Sequence, residues 1–369
     1  MPSLSQCDVV VGMDVSKNVV VAGVLCAGAE VPVVESFTHD EASVRRFFGR
    51  FEQPGRVAAC YEAGPTGFEL HRLVTSLGVG CAVVAPSLIP KGSGDRVKTD
   101  KRDARRLTVL HEAGLLTPIR VPTPREEAVR DLCRVRADMV GDLTQAKNRL
   151  FAFLLRHGRV WRDGDMWTLK HRRWLAAQCF DDPALATTFA YYRAAVETRE
   201  AAIDAVEADL AVWFERDPFG WQVARLGAYR GFTHLGALAM AAEVADWRRF
   251  ASARHFMGFV GLTPSEYSSG DSTRRGRITK AGNAHLRTQL VESAWAYQHR
   301  ASLGVVLRRR QHGVDPATAA RSWTAQQRLC ARFRRLSSHK NSRNVVVVAI
   351  ARELAGFLWA EMTADQPAG

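Results

Sequence analysis

Hydrophobic positions follow two regimes along the chain. In the first, up to about residue 118, they form short and nearly continuous runs. Val9 to Cys26, VVVGMDVSKNVVVAGVLC, is two β-branched runs joined by DVSKN, which predicts a buried strand, a short turn and a second strand. Val31 to Phe37 predicts a third strand, and Glu41 to Phe51 has helical spacing. Arg56 to Tyr61 is a short apolar strand ending in Glu62, after which Gly64, Pro65 and Gly67 force a turn before a helix over Phe68 to Leu77. Gly80 to Ala85 repeats the strand pattern, and Asp95 to Leu107 returns to helical spacing. Strands and helices in this order predict a mixed α/β domain over residues 8–118.

In the second regime strand alternation disappears. Pro118 to Pro124, PIRVPTP, reads as a linker, and residues 125–216, rich in Ala, Leu, Arg and Glu, predict helices. Thr187 to Phe214 reads as one long helix whose imperfect heptads allow a coiled coil without requiring one. Asp217 to Gly220 breaks it and opens a third, mostly helical region over 217–360, with a helix expected over Trp247 to Phe259 and an apolar helix over Val345 to Trp359. Residues 361–369 are expected to form a disordered tail.

Charge narrows the function. Lys plus Arg number 51 against 38 acids, a net charge of +13, so a polyanionic partner is expected and nucleic acid is the first candidate. Between Arg300 and Arg352 there are twelve Lys or Arg and one acid, Asp315, which favours phosphate contacts in that part. Seven scattered cysteines without CxxC spacing argue against a zinc site or a disulfide framework and for a reducing compartment. No run has transmembrane length and no signal peptide is evident, so the expectation is a cytoplasmic protein that associates with the nucleoid and not with a membrane.

The candidate chemistry centres on DRVKTDKRDARRL, where Asp100 and Asp103 share a helix face among Lys98, Lys101, Arg102, Arg105 and Arg106. Two carboxylates on one face repel unless a cation sits between them, and the surrounding cations suit a polyanion. That combination is what a metal-assisted phosphodiester site requires. A solvated helix with intrahelical ion pairs would look similar. Asp14 and Glu62, however, both end apolar strands, where sites in such sheets lie, and four acids at element ends can converge on one or two Mg²⁺ ions. Trp161, Trp167 and Trp174 stand among basic residues, where they could stack on bases, but core anchoring is the commoner use. A last motif, FVGLTPSEYSSGDSTRRGRITKAGNAHLR, sets Ser268 and Ser269 in a Gly-flanked turn followed by Arg274, Arg275, Arg277, Lys280 and Arg287. Such serines are usually turn formers; the alternative is a nucleophile facing a scissile phosphate.

GMDVSK, YEAGPTG and KTDKRDARRL resemble the three acidic motifs of the DEDD insertion-sequence transposases, and GLTP, SG, ITKAGN and LR resemble their C-terminal motif. The likeness covers about residues 8–360, in the family's order. It implies a RuvC-like, ribonuclease-H-like N-terminal domain, with Asp14, Glu62, Asp100 and Asp103 as metal ligands. It implies an oligomerising helical middle, and a catalytic serine carried to Ser269 with Ser268 as the second candidate. It further implies a dimer-to-tetramer homo-oligomer with composite sites, acting on donor and target DNA brought together by a noncoding bridge RNA. Two other functions fit the residues alone: a RuvC-like nuclease using water, and a non-catalytic nucleic-acid-binding protein.

Overall fold

A computed structural model describes residues 8–90, 99–266, 274–339 and 342–364, with the side chain of Arg275 outside the description. Among them the chain forms two compact units, Met1–Pro122 and Thr123–Gly369.

The first unit is a mixed α/β fold. Its elements are β1 (Val9–Val15), β2 (Val19–Cys26), β3 (Val33–Thr38), α1 (Glu41–Phe48), β4 (Val57–Glu62), α2 (Glu69–Ser76), β5 (Gly80–Val84) and α3 (Asp100–Glu112). The sheet has the order β3-β2-β1-β4-β5. β1 pairs antiparallel with β2 and parallel with β4, and β5 is parallel to β4. The near-continuous apolar runs follow from burial on both faces. On one face Val11, Met13, Ala59, Tyr61 and Val83 pack with Phe47 and Phe48 of α1 and Leu70 and Val74 of α2. On the other, Cys60, Ala82 and Val84 pack with Leu107 of α3. After α3 the chain returns to the β5 edge, where Ile119 N–H donates to Val83 O at 2.7 Å and Ile119 and Val121 pack on the first core. The stretch expected to link domains from Pro118 onward therefore belongs to the first unit up to Pro122, because its alternate apolar residues find a core to cover.

The second unit opens with α4 (Pro124–Arg156), started by a full capping box at Thr123 and Glu126 with proline at the first helical position. It continues with α5 (Leu169–Ala176), α6 (Pro183–Ala211), α7 (Gly220–Gly227), α8 (His234–Val244) and α9 (Ala253–Phe259). A short hairpin, β6 (Pro264–Glu266) and β7 (Arg275–Ile278), precedes α10 (Ala284–Ala294), α11 (Val305–Gln311), α12 (Pro316–Ser337) and α13 (Arg343–Thr363). α4 and α6 run antiparallel, since Arg136 pairs with Glu207 and Lys147 with Glu200. Lys147 and Arg172 converge on Glu200, and the Arg172 hydrogen bonds are the main reason its carboxyl is pushed down to about 2. One end of α4 enters the large helical core through Val129 and Cys133. The other end joins a smaller cluster of Leu150, Phe153, Leu175 and Phe189, against which Trp167 and Trp174 pack. Those tryptophans are anchors, as the commoner use of such residues suggests.

The long helix expected over Thr187 to Phe214 runs as Pro183–Ala211, and two further stretches depart from the sequence expectation. Trp247 to Ser252 is not helical: Trp247 is buried with its indole N–H on Gln222 Oε1 at 3.0 Å, and Ser252 caps α9, which starts at Ala253. α13 runs to Thr363, so the expected tail of 361–369 starts too early: Glu361 and Met362 are completely buried, because Glu361 has partners inside the core. Residues 365–369 lie outside the described residues.

Candidate active site

The four acids of the N-terminal motifs are all carried by the sheet and α3. Met13 and Tyr61 are register partners in the parallel pair β1 and β4, so Asp14 and Glu62 are the next residues at neighbouring strand ends. Side chains alternate along a strand, and Met13 and Tyr61 point into the α1–α2 core. Asp14 and Glu62 therefore face the other side, where α3 packs. Asp14 is partly buried and Glu62 exposed.

α3 reaches that face because the strands lack side chains beneath it. A Cβ on Gly12 would lie 2.3 Å from Thr108 N, and one on Gly23, its partner in β2, 2.4 Å from Thr108 Oγ1. Cys60 Sγ lies 3.8 Å from Leu107 O on the same surface. Thr99 caps α3, its Oγ1 accepting from Arg102 N–H at 3.4 Å, which places Asp100 and Asp103 in the first turn. There both carboxylates complement the positive end of the helix. Helix stability alone would put acids at these positions, but it gives no reason for the burial of Asp103. Asp103 is partly buried, and its Oδ2 is buried with no hydrogen-bond partner. Asp100 is exposed.

A carboxylate oxygen removed from water without a partner is unfavourable unless a cation neutralises it. The donor set of Asp14, Glu62, Asp100 and Asp103 is all hard oxygen, which fits Mg²⁺. Among the described residues, no group of three His, Cys, Asp or Glu side chains is drawn together as closely as a metal would hold them. The backbone thus brings the four acids to one side of one sheet, without a preassembled ligand cluster.

Around the acids, Lys101, Arg102 and Arg105 are exposed on α3, while Arg106 is partly buried and donates to Pro90 O. Lys98 lies outside the described residues.

In the second unit, Ser268 and Ser269 also lie outside the described residues, but the frame that carries them is clear. β6 and β7 form an antiparallel hairpin in which Glu266 partners Arg275. Its base is an interlock of the GLTP and ITKAGN motifs. Gly261 and Gly282 both have positive φ, and a Cβ on either would lie 2.2 Å from Ala281 O or 2.1 Å from Phe259 O respectively. Asn283 caps α10 through its Oδ1, 3.0 Å from Leu286 N, and donates from Nδ2 to Glu243 Oε2 at 2.6 Å. Arg134 of α4 grips the same carboxylate at 2.7 and 3.1 Å. Thr279 N–H donates to Thr263 O at 2.9 Å. Arg287 donates to Val260 O at 3.1 Å and braces the turn, whereas Arg274, Arg277 and Lys280 are exposed. The asparagine, glycines and arginine of this motif thus build the hairpin's base.

A ribonuclease-H-like sheet with four acids on one side, set beside a basic helix, is an arrangement suited to acting on phosphodiesters. Residues 11–158 match the DEDD transposase domain of the IS110 type, and residues 223–306 match the transposase domain of the IS116/IS110/IS902 family. The chain is 41% identical to y4qE of Sinorhizobium fredii (strain NBRC 101917 / NGR234), a protein named as a transposase, over 95% of this chain and 87% of that one. It is 30% identical to the transposase for insertion sequence element IS1533 of Leptospira borgpetersenii, over 89% of this chain and 96% of the relative. Identity to the transposase for insertion sequence element IS1328 of Yersinia enterocolitica is 25% over 88% of this chain and 91% of the relative. The chain belongs to the IS110/IS116 family of insertion-sequence transposases, enzymes that act on DNA. No helix among the described residues is long and apolar enough to cross a membrane.

Proposed function

We propose that this transposase cuts and rejoins DNA through a covalent phosphoserine intermediate, with Mg²⁺ held by Asp14, Glu62, Asp100 and Asp103 and with Ser269 as the nucleophile. The observation that carries the reading is the buried, unpartnered Oδ2 of Asp103 on the helix that packs beside the strand ends of Asp14 and Glu62. Bound there, one or two divalent ions supply positive charge to the scissile phosphate and lower the pKa of an attacking hydroxyl. The chain's own groups do the rest. Lys101, Arg102 and Arg105, together with Arg274, Arg277 and Lys280, are exposed cations that hold the phosphate backbone. Ser269 Oγ attacks the scissile phosphorus in line. The Oγ–P bond forms as the P–O3′ bond breaks, and the departing 3′ oxygen takes up a proton. A 3′-hydroxyl from another strand then attacks the phosphoserine, which restores the serine and joins the strands without an outside energy source. The acting form is a homo-oligomer, from dimer to tetramer, that aligns donor and target DNA with a bridge RNA encoded beside the transposase gene. Ser268 is the second candidate for the nucleophile.

Strand cleavage of labelled element-junction DNA by purified protein with the adjacent noncoding RNA tests this reading. The expected result is cleavage with Mg²⁺ that disappears with EDTA and on omission of the RNA. Cleavage that persists in EDTA would overturn the metal assignment, and cleavage indifferent to the RNA would remove the guide.

A further inference from the structure

Besides the apolar packing of Leu107, one hydroxyl ties α3 to both β1 and β2. Thr108 is completely buried. Its Oγ1 accepts from Gly12 N–H at 3.1 Å, across 96 residues of sequence. The same oxygen lies 3.0 Å from Gly23 O and 2.8 Å from Ala104 O, the two acceptors that share its proton. A mid-helix threonine commonly returns its proton to the carbonyl four residues back and does nothing more. Here the hydroxyl also bridges Gly12 and Gly23, which are register partners across β1 and β2. The missing Cβ atoms of those glycines let it come that close.

We propose that Thr108 is a positioning residue for the candidate active site, fixing the height and register of α3 over β1 and with them the placement of Asp103 relative to Asp14. The inference rests on the metal-site reading above. The lever is short on both sides. Asp14 follows Gly12 by two residues on one strand, and Asp103 immediately precedes Ala104, whose carbonyl shares the Thr108 hydroxyl.

Valine matches threonine in shape but supplies a methyl in place of the hydroxyl. A methyl 3.1 Å from an amide nitrogen and 2.8 Å from a carbonyl oxygen is well inside the contact distance of roughly 3.5–4.0 Å, so α3 must lift. The test uses the full chain as wild type, Thr108→Val, Thr108→Ser and Asp103→Asn. Mn²⁺ binding is followed by the loss of the free-ion electron paramagnetic resonance signal. Amide exchange of the metal-free protein is followed over residues 99–107, with residues 69–77 as an internal control.

Thr108→Val is expected to weaken Mn²⁺ binding about tenfold or more, the range typical of residues that orient ligands. It should also speed exchange over 99–107 and leave 69–77 unchanged, and Thr108→Ser should restore both. Thr108→Ala removes the hydroxyl without adding bulk and gives the same ordering if the valine variant is not recovered. A valine variant that binds Mn²⁺ and exchanges as the wild type does would overturn the proposal. Equal Mn²⁺ binding by wild type and Asp103→Asn would instead sink the metal-site reading. Exchange over 99–107 would then decide whether Thr108 fixes α3, with no acceleration ruling it out.

Discussion

Asp103→Asn is expected to reduce Mg²⁺-dependent strand cleavage on the order of 10³-fold or more, the scale seen when one member of a catalytic unit is removed. The substitution keeps the shape of the side chain and removes its charge. Its effect on folding is small because two contributions oppose each other. The neutral amide would lose a favourable interaction with the positive end of α3, about 0.3–1 kcal/mol, and would be relieved of burying a charged oxygen that has no partner. The melting temperature therefore stays near that of the wild type, and DNA binding is equal or tighter, since a negative charge near phosphate has gone. Single-turnover cleavage, thermal melting and a binding titration on the same preparation check all three. A non-catalytic DNA-binding protein would give the same melting and binding results but no Mg²⁺-dependent cleavage in either wild type or variant, so the cleavage rate separates the two accounts.

The second large effect is on stability and lies far from the acids. Glu361 is completely buried near the end of α13, with its carboxylate held by Arg321 at 2.7 and 2.9 Å, Thr318 at 2.7 Å and Tyr229 at 3.0 Å. Burial pushes its pKa upward, but the hydrogen bonds from Arg321, Thr318 and Tyr229 outweigh it and hold the carboxyl below its ordinary value. Removing one partner of a buried ion pair typically costs about 3–5 kcal/mol; Arg321 keeps 37% of its side chain exposed, so Glu361→Ala should fall near the lower end. The sign of the pH dependence follows from the direction of the shift. A carboxyl with a depressed folded-state pKa contributes stability that is fully present above its unfolded value, about 4.3, and is lost as pH falls through the folded value. Wild-type melting temperature should therefore fall below about pH 4.3 through this group, whereas Glu361→Gln, lower at neutral pH, should lack that component. Melting curves from pH 3 to 7 for both proteins measure the difference.

Much of the first unit was legible in the sequence because its strands are buried on both faces and so read as unbroken apolar runs. β1, β2, β4 and β5 all lie within the predicted stretches, and the long helices α4 and α6 follow from composition. Elements defined by partners distant in sequence were harder to read. β6 has three residues and no alternation to detect, and it exists because β7 pairs with it. Glu243 looks like an ordinary helical glutamate until Arg134 and Asn283, 109 and 40 residues away, are seen to converge on it. Thr108 is equally silent. The one available sign was the pair of glycines interrupting two β-branched runs, Gly12 and Gly23, since glycine within a strand marks a close approach of backbone. Asp14, Glu62, Asp100 and Asp103 were legible as candidates from their places at strand ends and on a helix start, and the fold sets them on one side of one sheet. The buried oxygen of Asp103 depends on how α3 packs, which no local pattern records.

The measurement that bears most directly on the central claim is a denaturing gel for DNA covalently attached to protein, after incubation with Mg²⁺, the adjacent RNA and labelled element-junction DNA. Wild type, Ser268→Ala, Ser269→Ala and Asp103→Asn are run side by side. The expected result is a protein–DNA adduct in the wild type that vanishes in Ser269→Ala and in Asp103→Asn and persists in Ser268→Ala; loss in Ser268→Ala alone would move the nucleophile by one residue. Cleavage without any adduct, unaffected by either serine substitution, would mean that water is the nucleophile and would contradict the phosphoserine mechanism.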